Sequence, residues 1–457
     1  MAPSPPRAAP LENDPYPGAS RWLIHRLYGT AWWVVGLLAS PILAWRARKP
    51  AFRRMLAERM GRGLAELDPG RERVLVHGVS VGEVKGARAL VEGLLELSPT
   101  TEIAISTTTD TGQRVARATY GEHPIVRFPI DVELAVNRFL DRVRPTAVVL
   151  IELEVWPNFL RACNRRGIPV VVVNGRITHR SHERYKLFRR LVPQFRRISY
   201  FAVQSEEYAE RFRDLGVEDD RVFVTGNVKF DALRSGVRRA PLELEQRVGA
   251  RAGQPVVVCG STHEPEERYC VEAWRDHASS ARLVIVARHP ERNDELVGLF
   301  RGLGIEVERL SALRAEDVGG DPAKPLLVDT IGELEDVYAL SDLVFVGGTL
   351  IPHGGQNLLE PAAQAKPVVR GPSVSNFLQE ALLLDSERAA VEVASAEQLG
   401  PAWRRLLADS DERRAMGERG QRAVERQRGA TERTLKAVAP LVLESHRKTA
   451  TRGPRPA

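Results

Sequence analysis

LVFVGGTLIPHGGQNLLEP, residues 343–361, holds the strongest structural signal in this chain. Residues 343–346 predict a buried strand, and residues 357–360 predict the first turn of a helix with Asn357 as its cap. The glycines between them therefore lie at the carboxyl end of a strand, where open α/β sheets bind ligands. They could serve only as turn residues. A His, an Asn and a Glu in the same loop favour a phosphate or nucleotide site, in which backbone N–H groups and the helix dipole hold the anion.

Strand and helix patterns alternate along the rest of the chain in two series, separated by a charged segment at about 232–252. The strand runs are nearly all apolar, as expected of parallel strands covered on both faces. We predict strands at 74–76, 103–105, 148–151, 170–173, 200–203 and 222–224, and then at 256–259, 283–286, 326–328 and 343–346. Two such series predict an α/β protein with two Rossmann-like, doubly wound domains facing across a cleft. The charged helical tail at about 395–445 is a candidate to cross back to the first domain.

Composition is that of a soluble globular protein of two ordinary domains, with 457 residues, 43% hydrophobic and 27% charged. The net charge of +7 suits acidic partners such as nucleotides or anionic lipid, but no arginine-rich stripe with aromatics indicates nucleic acid. The cysteines Cys163, Cys259 and Cys270 lack metal-site spacing and fit buried thiols in a reducing compartment. Nothing near His179 and His182 completes a zinc site, so we expect no structural metal.

Residues 27–45, LYGTAWWVVGLLASPILAW, contain no charged side chain and nearly match the roughly twenty residues that cross a bilayer. A basic flank follows at 46–62, where Glu58 is the only acid. This flank predicts that the following chain stays cytoplasmic and attracts anionic lipid. A cleaved signal peptide and a buried core helix are the alternatives. The sequence thus predicts a disordered tail at 1–20, a membrane-anchor helix with its basic flank at 21–62, domains at 63–235 and 236–445, and a disordered tail at 446–457.

Acidic side chains follow two predicted strands of the first domain. Ser80 and Glu83 have the spacing of a capping box, but Glu83 could equally accept a proton from an attacking hydroxyl. Glu152 and Glu154 are two residues apart, so an extended backbone puts both on one face. Two carboxylates at a strand end suit an active site. The alternative is an ion pair between one of them and Arg176.

Cationic and polar side chains occupy three further loops. Lys229, in TGNVKFD at 225–231, would neutralise an anionic substrate group or pair with Asp231. In the second domain, GSTHE at 260–264 and ARHPER at 287–292 each follow a predicted strand, so we expect both at the same edge as the glycine loop. Carboxylates in one domain and Arg, His, Asn and glycine N–H groups in the other favour group transfer from a nucleotide-activated donor.

These motifs, taken in order, resemble the 3-deoxy-D-manno-octulosonic acid (Kdo) transferases from about residue 20 to 440. The motifs that carry the resemblance are SVGE at 80–83, ELEVWPN at 152–158, VNGR at 173–176, GNVKFD at 226–231, RHPER at 288–292 and the loop at 347–361. The resemblance implies a GT-B glycosyltransferase that moves Kdo from CMP-Kdo to the disaccharide lipid A precursor with inversion. The first domain would then bind the acceptor and the second the CMP-sugar, in lipopolysaccharide biosynthesis at the cytoplasmic face of the bacterial inner membrane.

The resemblance also implies residue roles. Glu83 would be the proton acceptor, and Glu154 and Lys229 would assist the transition state. The implied CMP contacts are His289, Pro290, Gly332, Glu333, Leu334, Asn357, Leu358, Leu359 and Glu360. The departures from the family pattern are Leu153, where Thr is frequent, and the Pro-rich N-terminal tail.

No metal or other cofactor is expected. Asp409-Ser410-Asp411 has the form of a metal–nucleotide motif of another transferase fold, but its place between helical stretches predicts a capped helix start. Two other functions stay open: a transferase or epimerase of the same fold that uses a UDP-sugar, and a catalytically inactive membrane scaffold that binds nucleotide or lipid.

Overall fold

A computed structural model describes residues 19–64, 67–188, 194–231, 233, 236, 239–313 and 320–443, with only the backbone for residues 19–26, Trp33 and Phe188. The strands are β1 Arg73–His77, β2 Glu102–Thr107, β3 Ile125–Arg127, β4 Ala147–Ile151, β5 Val170–Gly175, β6 Tyr200–Val203, β7 Val222–Val224, β8 Val256–Thr262, β9 Arg282–Ala287, β10 Glu308–Arg309, β11 Leu326–Leu327, β12 Leu343–Val346, β13 Val368–Arg370 and β14 Ala390–Glu392.

The helices are α1 Ala19–Arg46, α2 Pro50–Arg59, α3 Val81–Gly86, α4 Arg88–Leu97, α5 Asp110–Thr119, α6 Glu133–Val143, α7 Pro157–Arg165, α8 His179–Phe188, α9 Glu206–Asp214, α10 Leu242–Val248, α11 Glu266–His277, α12 Asn293–Gly302, α13 Leu334–Leu340, α14 Leu359–Ala363, α15 Leu378–Ser386, α16 Ala396–Ala408, α17 Ser410–Gln427 and α18 Ala430–Leu443. Short 3₁₀ turns lie at Gln194–Arg197, Asp219–Arg221, Val228–Phe230, Pro290–Arg292 and Leu310–Ala312.

The chain forms two compact units. One comprises the described residues of Met1–Ala232 and Arg428–Ala457, and the other those of Leu233–Gln427. Each unit has a seven-stranded sheet in which every pairing is parallel. The strand orders are β3-β2-β1-β4-β5-β6-β7 and β10-β11-β9-β8-β12-β13-β14. The prediction of two doubly wound parallel-sheet domains is therefore confirmed.

The central strands are buried on both faces, which explains their continuous apolar runs. In β4, Val148 and Leu150 belong to one core cluster, whereas Val149 and Ile151 belong to the cluster on the opposite face. The short strands β3, β10, β13 and β14 were absent from the sequence prediction. β10 consists of Glu308 and Arg309, which give no apolar signal.

The final helix α18 lies in the first unit, although the sequence prediction placed residues up to 445 in the second domain. It packs against α4 and against strands β4, β5 and β6 of the first sheet. A Cβ atom on Gly93 of α4 would lie 2.3 Å from Cδ1 of Leu435, so any larger residue there would force the Leu435 side chain to move. Of the helical tail that was a candidate to cross back to the first domain, α18 is the part that does so. The preceding helices α16 and α17 belong to the second unit.

The N-terminal helix α1 contains the segment Leu27–Arg46, which is long and apolar enough to cross a membrane by length and composition. None of its most apolar window is buried, which contradicts the alternative of a buried core helix. The hydroxyl of Tyr28 donates to Asp131 Oδ2 at 2.9 Å and thereby connects α1 to the first sheet's loops. Of the tail predicted at 1–20, residues 1–18 lie outside the described residues. The tail predicted at 446–457 lies entirely outside them.

Candidate active site

Glu83 lies in the first turn of α3, directly after β1. Its backbone N–H donates to Oγ of Ser80 at 3.2 Å, and its Oε2 accepts the N–H of Val79 at 2.7 Å. The capping interaction predicted for this motif is therefore present, but the carboxylate is held by Val79 and not by the cap residue. The side chain stays half-buried at the carboxyl edge of the first sheet. Capping does not exclude the proposed role as proton acceptor.

Glu154 lies in the loop after β4, and Nε1 of Trp156 donates to its Oε2 at 2.9 Å. Burial, helped by the neighbouring charges of Glu83 and Glu152, raises the pKa of Glu154 to about 7 in spite of the hydrogen bond from Trp156, which lowers it. The structure thus brings the three glutamates of the two predicted motifs together. A carboxyl that titrates near neutral pH is typical of acid–base and electrostatic catalysis.

Glu152 binds the cations of this site. Its Oε1 accepts from Nζ of Lys229 at 3.0 Å, and its Oε2 lies 3.2 Å from Nε of Arg176. Its backbone has a φ of +62°, an uncommon left-handed conformation for a residue other than glycine. The predicted pairing with Arg176 is confirmed, and it belongs to Glu152 and not to Glu154.

Asp231 has another role than the predicted pairing with Lys229. Its Oδ1 accepts the N–H of Gly429 at 2.7 Å, and its Oδ2 accepts the N–H of Thr431 at 2.5 Å. These amides lie at the start of α18, where unpaired N–H groups require an acceptor. Lys229 pairs with Glu152 instead, so the alternative of a Lys229–Asp231 pair is wrong.

Asn174 positions the segment that carries Lys229, a role that the sequence analysis missed. It is buried with a φ of +55°, and its Oδ1 accepts the N–H of Val228 at 3.1 Å. Asn227 then caps the short 3₁₀ turn through the N–H of Lys229 at 3.0 Å. The signal for this role was the Asn-Gly pair after a strand, because asparagine tolerates the left-handed region.

In the second unit, the carboxylate of Glu266 occupies the amides of the glycine loop. It accepts from the N–H groups of Gly348 at 2.6 Å and of Thr349 and Leu350 at 3.0 Å. These three amides therefore hold a carboxylate of the protein itself, and the phosphate or nucleotide site predicted for the loop stays a prediction for its other residues. Gly347 allows the approach to β8, since a Cβ atom there would lie 2.5 Å from the carbonyl oxygen of Ser261.

Three histidines meet at the carboxyl edge of the second sheet, and we call them the histidine cluster: His263, His289 and His353. The ring centroids of His263 and His353 are 4.1 Å apart, and those of His263 and His289 are 5.5 Å apart. They come from the loops after β8, β9 and β12, respectively. His289 had been identified from the sequence, whereas the contact of His353 with His263 had not.

The other predicted nucleotide contacts lie in two loops of the second unit. Gly332 has a φ of +100° and lies just before α13, which begins at Leu334. In the same loop, the hydroxyl of Thr330 donates to the carboxylate of Glu333. Pro290 begins the 3₁₀ turn that follows His289.

The loop before α14 carries the remaining predicted contacts. Asn357 accepts the N–H of Leu359 at 3.1 Å and donates to Glu360 Oε1 at 2.9 Å, so it has a capping role, although the helix begins only at Leu359 and is short. The side chains of Leu358 and Leu359 are buried in the core. Any ligand contact from these two leucines would therefore involve their backbone. Within the part of the chain that the structure describes, no group of three or more His, Cys, Asp or Glu side chains has an arrangement that could hold a metal ion.

Solved structures with this architecture define the class of protein. A glycosyltransferase from Rickettsia africae matches 82% of this chain and 99% of its own with a TM-score of 0.54 at 11% identity. A putative UDP-N-acetylglucosamine 2-epimerase from Listeria monocytogenes matches 82% of this chain and 98% of its own with a TM-score of 0.53 at 14% identity. At these identities the likeness concerns the fold, which is the GT-B architecture of two parallel-sheet α/β domains.

Sequence relatives narrow this class to one family. The family model described as 3-deoxy-D-manno-octulosonic-acid transferase (kdotransferase) matches residues 54–232. The 3-deoxy-D-manno-octulosonic acid transferase of Haemophilus influenzae is 31% identical over 86% of this chain and 92% of its own length. The enzyme of the same name from Bordetella pertussis is 32% identical over 80% of this chain and 86% of its own. The chain belongs to the 3-deoxy-D-manno-octulosonic-acid transferase family, as its motifs predicted.

Proposed function

We propose that this protein transfers Kdo from CMP-Kdo to the disaccharide lipid A precursor, with inversion at the anomeric carbon. The reaction would belong to lipopolysaccharide biosynthesis and take place at the cytoplasmic face of the bacterial inner membrane. The observation that carries the proposal is the group of Glu83, Glu152 and Glu154 with Lys229 at one sheet edge, in a member of the Kdo transferase family. Such a group suits the activation of a sugar hydroxyl.

Glu83 is the proposed general base. Its Oε2 is anchored by the N–H of Val79, so Oε1 takes the proton of the attacking acceptor hydroxyl. The hydroxyl oxygen then forms a bond to the anomeric carbon while the bond from that carbon to the phosphate oxygen breaks. CMP leaves with the electron pair of the broken bond, and the products are the glycosylated acceptor and CMP.

Glu154 and Lys229 are proposed to assist this step. Positive charge develops at the anomeric carbon in glycosyl transfer, and an ionised Glu154 would stabilise it. Lys229, held by Glu152 at 3.0 Å, would bind an anionic group of a substrate. Arg176 also pairs with Glu152, and these two ion pairs hold the carboxylate in place for the lysine ammonium.

Donor binding is assigned to the second unit. The proposed CMP contacts are those that the resemblance implies: His289, Pro290, Gly332, Glu333, Leu334, Asn357, Leu358, Leu359 and Glu360. We propose that transfer requires no metal ion. Turnover should therefore persist after dialysis against a chelator, and a loss of turnover that Mg²⁺ restores would contradict this part of the proposal.

The decisive experiment is transfer by the purified full-length protein in detergent, with CMP-Kdo and lipid A precursor and with product masses as the readout. Glu83→Gln should lower kcat about 10²- to 10⁴-fold, the usual contribution of a general base, without a change in CMP affinity. Glu92→Gln is the matched control, because Glu92 forms an exposed pair with Arg88 on the next helix. Unchanged turnover of Glu83→Gln would exclude the base, and activity only with UDP-N-acetylglucosamine would favour the UDP-sugar alternative.

A further inference from the structure

The histidine cluster has a buried member and two exposed ones. His263 is 8% exposed, whereas His289 and His353 lie at the surface. The N–H of His263 donates to Glu266 Oε2 at 3.0 Å, the same carboxylate that holds the amides of the glycine loop. The carboxylate of Glu266 thus fixes the backbone of His263 and also orders the loop that carries His353. Three separate loops present imidazole rings to one point.

Gln356 determines which tautomer His263 adopts. The side-chain Nε2 of Gln356 lies 2.9 Å from Nε2 of His263. An amide NH₂ group can only donate, so the ring nitrogen accepts and the proton of the neutral ring lies on Nδ1. A protonated ring would bring two donors together at this contact. Protonation of His263 therefore requires the Gln356 amide to rotate and present its oxygen.

The surroundings keep His263 neutral. Burial, together with the neighbouring groups His353, His289, Arg288 and Arg292, lowers the pKa of His263 to about 4. Two carboxylates are also near. Glu266 accepts the backbone N–H of His263, and Glu264 follows His263 in the chain and is exposed. Among these groups, Arg292 is paired with Glu267 and Glu295, whereas the side chain of Arg288 is exposed at the surface. Cationic groups thus surround a neutral ring, an arrangement that favours an incoming anion.

We propose that the histidine cluster binds the phosphate of the donor nucleotide and that His263 takes up one proton from solvent when the phosphate binds, with rotation of the Gln356 amide. The inference rests on the proposed function, since it takes a cytidine nucleotide as the ligand. The phosphate supplies the negative charge that the imidazolium requires, and the rotated amide oxygen accepts its Nε2–H. His263 would then carry a proton beside the phosphate that leaves with CMP.

Calorimetric titration of the full-length protein with CMP at pH 6.5 tests this. Two buffers with different protonation enthalpies, MES and Bis-Tris, should give binding enthalpies that differ by the uptake of roughly one proton per CMP. Cytidine, which lacks the phosphate, should show no uptake. The affinity of the wild type for CMP should fall by up to about tenfold per pH unit as pH rises from the pKa of the free ring towards that of the bound ring, and it should level off above the latter.

Substitution of each histidine in turn shows which of the three rings takes up the proton. His263→Gln should bind CMP more weakly and take up about one proton fewer per CMP than the wild type, so that only the proton exchange of the CMP phosphate itself is left. His289→Gln and His353→Gln should retain the uptake. If the full uptake survives in His263→Gln, or is lost only in one of the other two variants, the assignment to His263 is wrong.

A second measurement avoids any effect of substitution on folding. Histidine-selective ¹⁵N NMR of the wild-type protein should show a neutral ring for His263 at pH 6.5 and an imidazolium after addition of CMP. Binding of CMP without any change in protonation would overturn this inference alone. Failure of CMP to bind would overturn it together with the proposed donor.

Discussion

At the scale of single residues, the raised pKa of Glu154 gives the active site a pH dependence. Glu154 is protonated below about pH 7 and ionised above it, because burial and the charges of Glu83 and Glu152 oppose its ionisation. An ionised carboxylate stabilises the positive charge of the transition state, so kcat should rise with pH from 6 to 8. In Glu154→Gln this rise should be absent and kcat should stay low throughout.

Measurement of kcat at saturating substrate from pH 5.5 to 8.5 in both proteins checks this expectation. Glu154→Asp is the companion variant, since it retains a carboxyl group and should retain a transition near neutral pH. The same transition in Glu154→Gln would assign it to another group.

The sequence predicted that acidic side chains and Lys229 follow the strands at this sheet edge, but it did not predict all of their pairings. Glu83 was correctly placed after a strand, because the capping-box spacing and the strand run are local patterns. The Glu152–Lys229 pair joins positions 77 apart in the chain, and it depends on the left-handed backbone of Glu152. No local pattern signals such a backbone in a glutamate. The carboxylate that binds the glycine loop likewise comes from Glu266, 82 positions before Gly348.

At the scale of secondary-structure elements, Asp231 stabilises the attachment of α18 to the first sheet. Its carboxylate accepts the N–H groups of Gly429 and Thr431 at the start of the helix. Asp231→Ala removes both acceptors and should destabilise the attachment by about 1–2 kcal/mol, as loss of an N-terminal cap does. Amide hydrogen exchange of residues 430–443 should become faster, whereas exchange in the second unit should not change.

Asp231→Asn should have a smaller effect, because its amide oxygen still accepts one hydrogen bond. Glu432→Ala is the matched control on the same helix, where Glu432 forms an exposed pair with Lys436 that contributes little. If Asp231→Ala and Glu432→Ala have equal effects on exchange, the capping role is wrong.

The sequence could not assign α18 to its sheet. An apolar stripe predicts that a helix packs on a core, but it does not show which sheet the helix packs against. The decisive contacts are long-range: Leu435 against Gly93, and Asp231 at the helix start. The short strands were missed for a related reason. A strand of two or three residues such as β10 or β14 is defined by its neighbour and not by its own pattern.

At the scale of the whole molecule, the two parallel sheets were the part of the fold that the sequence predicted best. Strands covered on both faces must be apolar throughout, so each central strand can be recognised from its own apolar run of sequence, without knowledge of the neighbouring strands. Each unit also has its own set of polar loops at the carboxyl ends of its strands. The first unit gathers carboxylates and Lys229, and the second gathers the histidine cluster with Arg288. An acceptor site in the first unit and a nucleotide site in the second remain the proposal for these two sets of loops.

We expect the helix α1 to bind a membrane, because its apolar side chains are exposed beside a basic flank. Leu37 and Leu38 are 73% and 74% exposed, and Arg53 and Arg54 lie at the surface of the flank. We expect the full-length protein to float with vesicles that contain anionic lipid. Leu37→Asp with Leu38→Asp should weaken binding strongly, because each charge in the centre of a membrane helix costs about 2.5–3.5 kcal/mol.

Arg53→Gln with Arg54→Gln should have a different effect, measured in the same flotation assay. Each lost arginine should cost about 1 kcal/mol on anionic vesicles and nothing on neutral ones, and the loss should disappear at high salt. The four side chains are exposed, so circular dichroism should show unchanged folding in both double variants. Full flotation of the aspartate variant would show that α1 does not hold the protein at the membrane, and equal loss on neutral vesicles would contradict an electrostatic role of the flank.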